Sequence, residues 1–176
     1  DAIFACGSFF VGGSTGDYPN DSHHLLRSTD NGSTLNSLHN TYIVSHIVYG
    51  NNTFVVAGMM GKNYISQDNG STWDNLTMAT SSSVGGLAFG DNTFVSTTIT
   101  GFNPSYTTIS RSVDNGSSWD NVTFGWNPNY TFGITDVTFG NGVFVAVGDN
   151  GTIIRSTDAG ASWDNVTSIS SDNMNA

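Results

Sequence analysis

An all-β propeller of four four-stranded antiparallel blades is the fold this sequence predicts, and three observations predict it. First, one phrase occurs four times: Ser28-Thr-Asp30-Asn-Gly32-Ser-Thr-Leu35, Ser66-Gln-Asp68-Asn-Gly70-Ser-Thr-Trp73, Ser112-Val-Asp114-Asn-Gly116-Ser-Ser-Trp119 and Ser156-Thr-Asp158-Ala-Gly160-Ala-Ser-Trp163. Recurrence at roughly forty residues marks an array of one supersecondary unit. Second, apolar and polar residues alternate at period two around each copy, and no segment sustains a helical period. Third, two-residue turn signals sit between the alternating runs.

Each unit justifies its elements in the same order. Residues 136–148 align without a gap with 46–58, and residues 86–98 and 1–13 hold the same register. Units therefore begin near residues 1, 46, 86 and 136, giving expected blades of about 1–45, 46–85, 86–135 and 136–176. The first strand of the last unit carries Val137 and Phe139. A tight turn follows, Cys6-Gly7, Asn51-Asn52, Asp91-Asn92 or Asn141-Gly142 in the four units, because both central residues of a type I′ turn need positive φ. A second strand comes next (Phe144, Val145 and Val147 in the last unit), then a loop and a third strand that runs into the repeated phrase. The phrase is itself a turn: its Asp bonds local backbone amides and its Gly supplies positive φ. A short fourth strand closes the unit. Four antiparallel strands repeated radially describe a propeller.

The phrase Ser-x-Asp-x-Gly-x-x-Trp resembles the Asp-box, or BNR repeat, of sialidase-type propellers, sortilin-like receptors and photosystem II assembly factors, and the resemblance covers essentially the whole chain. It implies structural roles for Asp30, Asp68, Asp114 and Asp158, for Gly32, Gly70, Gly116 and Gly160, and for Trp73, Trp119 and Trp163. Leu35 replaces the Trp in the first copy, so the first blade is expected to be the least regular. One superfold hosts many activities, so the likeness speaks to fold rather than function.

Composition excludes several function classes. The chain has 176 residues, enough to bury about 70% of its unfolded surface. All fourteen acids are Asp, the only basic residues are Arg27, Lys62, Arg111 and Arg155, and the formal net charge is −10. That balance argues against nucleic acid or an anionic membrane as partner, since both need Lys/Arg clusters. No apolar run is long enough to insert into a membrane. The remaining surface is Asn, Ser, Thr and Gly, a polarity without charge that points to an extracellular, cell-surface or virion-surface protein. The chain opens inside a strand, so a leader or longer N-terminal region is expected ahead of Asp1.

Ten Asn-x-Ser/Thr sequons occur. Asn75, Asn121 and Asn165 share one position, two residues past the Trp, on the outermost strand. A glycan there would cover an exposed edge and block edge-to-edge pairing; equally, polar turn chemistry repeats because blades repeat. Cys6 is the only cysteine. Its place at a hairpin tip points to an exposed thiol, free or bonded to another chain; against this stands the buried, inert thiol that a lone cysteine usually is.

Propeller geometry sorts the connections onto two faces. The first hairpin turn and the repeated phrase lie on one and are nearly invariant. The loop between second and third strands, and the connection to the next blade, lie on the other, where lengths vary and aromatics gather. Tyr18, His23 and His24 come from the blade 1 insertion, Phe102 and Tyr106 from that of blade 3, and Trp126 and Tyr130 from the connection into blade 4. Variable loops on a rigid scaffold are where binding concentrates, and these aromatics suit stacking on a sugar or anchoring a protein partner; the alternative is that they fold back and plug their own loops.

Enzyme chemistry finds little support. The sialidase resemblance would require three arginines and a tyrosine activated by a glutamate. Arg27, Arg111 and Arg155 occupy one equivalent place in their blades, as a repeated structural feature would, and the sequence has no Glu. Two Asp residues suffice for glycoside hydrolysis, and Asp17, Asp21 and Asp149 are the acids on the loop face. His23-His24 with Asp21 lacks a third ligand at metal spacing, and the Asp-Asn-Gly turns lack the further acids of a calcium loop. No cofactor or metal is expected. Photosystem assembly factors of this fold use an arginine-rich patch, which four basic residues do not supply.

The sequence is best read as a non-catalytic surface propeller that binds a glycan or packs against protein subunits of a virion, appendage or envelope assembly, with an Asp-dependent glycosidase as the alternative. Ring closure stays open. No strand from one terminus completes the blade of the other, so closure rests on side chains between blades 1 and 4. Otherwise the four blades belong to a longer chain, or two copies build a larger ring.

Overall fold

A computed structural model of the chain describes residues 1–15, 22–41, 44–78, 83–98, 108–122 and 133–166. It contains sixteen strands in four antiparallel sheets, each in simple sequence order, and no α-helix among the described residues. The first sheet comprises β1 (Ala2–Ala5), β2 (Ser8–Thr15), β3 (Ser22–Ser28) and β4 (Asn36–Thr41); the second β5 (Val44–Gly50), β6 (Thr53–Gly58), β7 (Asn63–Ser66) and β8 (Asp74–Leu76). The third comprises β9 (Val84–Gly90), β10 (Thr93–Thr98), β11 (Ile109–Ser112) and β12 (Asp120–Val122); the fourth β13 (Ile134–Gly140), β14 (Val143–Gly148), β15 (Ile153–Ser156) and β16 (Asp164–Asn165). These are four propeller blades. The outermost strand of blade 1, where Leu35 stands for Trp, is also the longest of its kind, so the first blade does depart from the others.

Local chemistry sets the turns. The residues between first and second strands all have positive φ: Cys6 and Gly7, Asn51 and Asn52, Asp91 and Asn92, Asn141 and Gly142. That is the type I′ signature expected from Asn, Asp and Gly. The repeated phrase folds identically four times. In the first copy Ser28 Oγ donates to Asp30 Oδ1 at 2.7 Å and accepts from the Gly32 amide at 2.9 Å, while the Thr34 amide and hydroxyl donate to the two oxygens of Asp30. The same bonds recur at Asp68, Asp114 and Asp158. Each Trp indole then donates to the carbonyl of the turn Gly, at 3.3, 3.1 and 3.2 Å for Trp73, Trp119 and Trp163. These donors hold the carboxyls of Asp30, Asp68 and Asp158 at a pKa of about 2, the hydroxyl of Thr34, Thr72 or Ser162 contributing most. Ser118 acts in the same direction on Asp114.

The core lies between blades rather than inside one. Three apolar clusters exist, one per junction: Phe10, Leu25, Ile47 and Phe54 join blades 1 and 2; Val55, Leu76, Leu87 and Phe94 join blades 2 and 3; Val95, Val137, Phe144 and Trp163 join blades 3 and 4. No cluster joins blade 4 to blade 1 among the described residues, so the side-chain closure that a self-contained ring requires is not seen. The second strands record the same asymmetry. β6 and β10 are buried at every position, whereas β14 alternates buried and half-buried.

Candidate functional site

The turn face is closed by side chains. Cys6 is exposed, and its thiol donates to Asn69 Oδ1 at 3.3 Å. The Tyr49 hydroxyl reaches Asn52 and Asn69, and Asn51 Nδ2 donates to Asn92 and Asn115 of the next blade. Side-chain hydrogen bonds thus tie the tip of blade 1 to blade 2 and the tip of blade 2 to blade 3.

The opposite face is built unequally. In blades 2 and 4 the second and third strands are joined by single 3-10 turns, Met59–Gly61 and Asp149–Gly151. In blades 1 and 3 the equivalent connections are residues 16–21 and 99–107, which lie outside the described residues. Tyr18, Phe102, Tyr106, Trp126 and Tyr130, with Asp17 and Asp21, fall outside as well. His23 is placed in β3 opposite Ser14 and Thr41. His24 is half-buried in the same strand, its Nδ1 3.1 Å from Ser37 Oγ.

Asp149, an acid proposed for this face, is engaged at the entrance to blade 4. Its Oδ2 accepts from the Gly133 amide at 3.3 Å, and its own amide donates to the Gly133 carbonyl. The three arginines do not converge. Arg27 lies over the Phe10 ring at 5.3 Å and donates to Ser8 Oγ; Arg111 donates to the Ala159 carbonyl at 3.3 Å; Arg155 is exposed. Each belongs to the flank of its own blade. Asn75, Asn121 and Asn165 are exposed on the outermost strands β8, β12 and β16. Ser110 donates to Asn121 Oδ1 at 3.0 Å, leaving the amide nitrogen out of that bond.

Two features escaped sequence reasoning. The first residue of each aligned unit is Asp1, His46, Gly86 or Asp136, so the inner strands bring three polar side chains and a glycine to equivalent positions. Asp1 Oδ2 accepts from the Ile47 amide at 2.8 Å, and Asp136 Oδ1 from the Val137 amide at 2.8 Å. Burial pushes the His46 imidazole below its ordinary pKa, against the charge of Asp136 and a backbone hydrogen bond with Gly85. A Cβ on Gly86 would stand 2.7 Å from Asp136 Oδ1. Reading the four units by column, rather than along the chain, would have exposed this set.

The second is in β10, where Ser96 and Thr97 replace the Val56-Ala57 and Ala146-Val147 of sibling strands. Both hydroxyls are buried without a hydrogen-bond partner, and the strand leads into the blade 3 insertion. Among the described residues no three His, Cys or Asp side chains are grouped closely enough to hold a metal ion.

No protein-family model matches the chain, and no curated protein matches it in sequence. Solved structures do resemble it. It is similar to YCF48 bound to D1 peptide at TM-score 0.62 and 16% identity, over 95% of this chain and 52% of that one. It is similar to the computationally designed Ika8 protein at TM-score 0.65 and 15% identity, over 99% of this chain and 50% of that one. A GH74 xyloglucanase from Xanthomonas campestris matches at TM-score 0.66 and 16% identity, over 91% of this chain and 28% of that one. The chain thus spans about half the length of the first two. At these identities the likeness establishes one thing, that the chain folds as a β-propeller.

Proposed function

We propose that the chain is an Asp-box propeller that serves as a non-catalytic binding module, displayed outside a cell or on a particle. It binds a glycan, or a protein subunit of a surface assembly, through the variable loops of one face. One observation carries this reading: the carboxylates of the four phrase turns and of Asp1, Asp136 and Asp149 are bound to the protein's own backbone and hydroxyls. Asp30, Asp68, Asp114 and Asp158 are consumed in turns, and Asp1, Asp136 and Asp149 accept backbone amides. General acids and bases need a carboxyl free to meet substrate, with a pKa near the working pH; turn carboxyls held at about 2 do not meet that need. Turns self-bonded in this way suit a scaffold and leave recognition to the insertions. The reading is supported by two neighbours of the same fold, one bound to a peptide and the other a xyloglucanase.

Glycan-array screening tests the reading, alongside Tyr106→Ala and Trp126→Ala variants. Binding that weakens about tenfold or more in either variant supports aromatic recognition on the loop face. Turnover of a xyloglucan oligosaccharide, lost in Asp17→Asn or Asp21→Asn, would replace it with an Asp-dependent glycosidase. Display outside the cell predicts an intact mass above the bare polypeptide when a glycosylating host makes the chain, reduced by Asn75→Gln, Asn121→Gln and Asn165→Gln together.

A further inference from the structure

The two ends of the array lack contacts that the internal blades make. At the junctions of blades 2 and 3 and of blades 3 and 4, where the aromatic of the later blade's first strand is Phe, it seats on a glycine of the blade before it; at the junction of blades 1 and 2 the aromatic is Tyr49 and Ala5 holds the glycine's place. A Cβ on Gly50 would lie 2.1 Å from the Phe89 ring, and a Cβ on Gly90 would lie 2.1 Å from the Phe139 ring. The equivalent glycine of blade 4 is Gly140. It is exposed, and nothing stands within 4 Å of its Cβ position. The equivalent aromatic of blade 1 is Phe4, which is 60% exposed. It stacks on Phe9 at 4.8 Å, just as Tyr49 stacks on Phe54, Phe89 on Phe94 and Phe139 on Phe144. The three siblings of Phe9 are fully buried, while Phe9 itself is 36% exposed.

A second contact repeats in the same way. The glycine of each phrase turn receives side chains from the preceding blade: Gly70 meets the Phe10 ring, Gly116 meets Ile65 and Val55, and Gly160 meets Val95 and Arg111. Gly32 of blade 1 has no atom within 4 Å of its Cβ position. The matching residues of blade 4, Val145 and Arg155, are paired across β14 and β15, half-buried and exposed respectively. At the junction of blades 3 and 4 the Arg111 guanidinium donates to the Ala159 carbonyl, and Asn31 of blade 1 occupies the Ala159 position.

We propose that a second copy of this chain completes the array: blade 1 of each copy docks on blade 4 of the other. Phe4 then seats on the partner copy's glycine at position 140, and Arg155 reaches the partner copy's carbonyl at position 31. Each bare surface meets the surface its siblings meet inside one chain. The contact is head-to-tail, so it closes only if the accumulated rotation returns to its start. Propellers typically close with four to eight blades. Four blades that do not close on themselves reach a ring within that range by adding one copy, giving eight.

The 176-residue chain, examined by light scattering and native mass spectrometry at tens of micromolar, is expected to show twice its 18.6 kDa mass. Gly140→Ala separates association from folding, because its added Cβ meets open space within a copy but the phenyl ring of a docked one. It is expected to leave the circular dichroism of the single copy unchanged and to weaken association about thirtyfold or more. Phe4→Asp is expected to do the same from the other end. A folded wild-type monomer at that concentration would overturn the proposal. A mass above two copies would overturn the two-copy ring, and so would a dimer indifferent to Gly140→Ala.

Discussion

β6 and β14 are near copies in sequence, Thr-Phe-Val-Val-Ala-Gly and Val-Phe-Val-Ala-Val-Gly, yet they end in different environments. β6 is buried on both sides; β14 is buried only on the side that meets blade 3. Strand chemistry alone therefore does not set burial in this molecule. Position in the array does, because each blade has two apolar sides and borrows a neighbour for each. Repeat proteins gain much of their stability in this way, from interfaces between units.

The largest effect that sharpens this contrast is a paired truncation, made in a Gly140→Ala background that keeps copies apart. Phe94→Ala, at a fully buried aromatic, is expected to cost about 3–5 kcal/mol in chemical denaturation. Phe9→Ala, at the equivalent position on the bare flank, is expected to cost less than about half of that. Equal losses would break the comparison. Next in size is a pair of glycines. Gly90→Ala forces a methyl into the Phe139 ring and is expected to cost about 1–3 kcal/mol. Gly140→Ala is expected to stay within about 0.5 kcal/mol in the single copy, because its Cβ meets nothing.

The fourth turn offers a smaller test, with the opposite sign. Ala159 holds φ 56, where the other three copies place Asn. A side chain without a local hydrogen bond is disfavoured in the left-handed region. Ala159→Asn is therefore expected to stabilise by about 1 kcal/mol in the same assay.

The smallest effects are in pH. Asp30, Asp68 and Asp158 have folded values near 2 against an ordinary 3.8. The stability they lend is fully present above pH 3.8 and is lost as pH falls toward 2. These carboxyls are solvent-exposed, so the loss is expected as a shallow slope. His46 has the same sign in a different window. Its folded value lies below 6.5, so the fold favours the neutral ring and weakens as pH drops beneath 6.5. His46→Gln should flatten that upper limb and leave the acidic one in place.

Much of this fold was legible because the turns are chemically specific. Asn51-Asn52 and Asn141-Gly142 announce positive φ, and four Asp-x-Gly phrases announce four turns. The matching of ends was less legible. A glycine at position 50, 90 or 140 reads simply as a strand end, and only the approach of Phe89 and Phe139 shows that it serves as a seat. Glycine inside a strand does signal close approach, but the signal names no partner. The axial column of Asp1, His46, Gly86 and Asp136 was hidden for a related reason: its members lie a whole repeat apart and mix three residue types. The loop aromatics, from Tyr18 to Tyr130, belong to insertions that repeat in no other unit, so nothing in the array predicts their placement.

Concentration dependence of thermal unfolding tests most directly whether burial is set by neighbouring blades. An assembly that binds only the folded form raises its midpoint with chain concentration. Wild-type chain, diluted a hundredfold, is expected to melt at a lower temperature, while Gly140→Ala melts at one temperature throughout. Midpoints independent of concentration in both proteins would contradict the account.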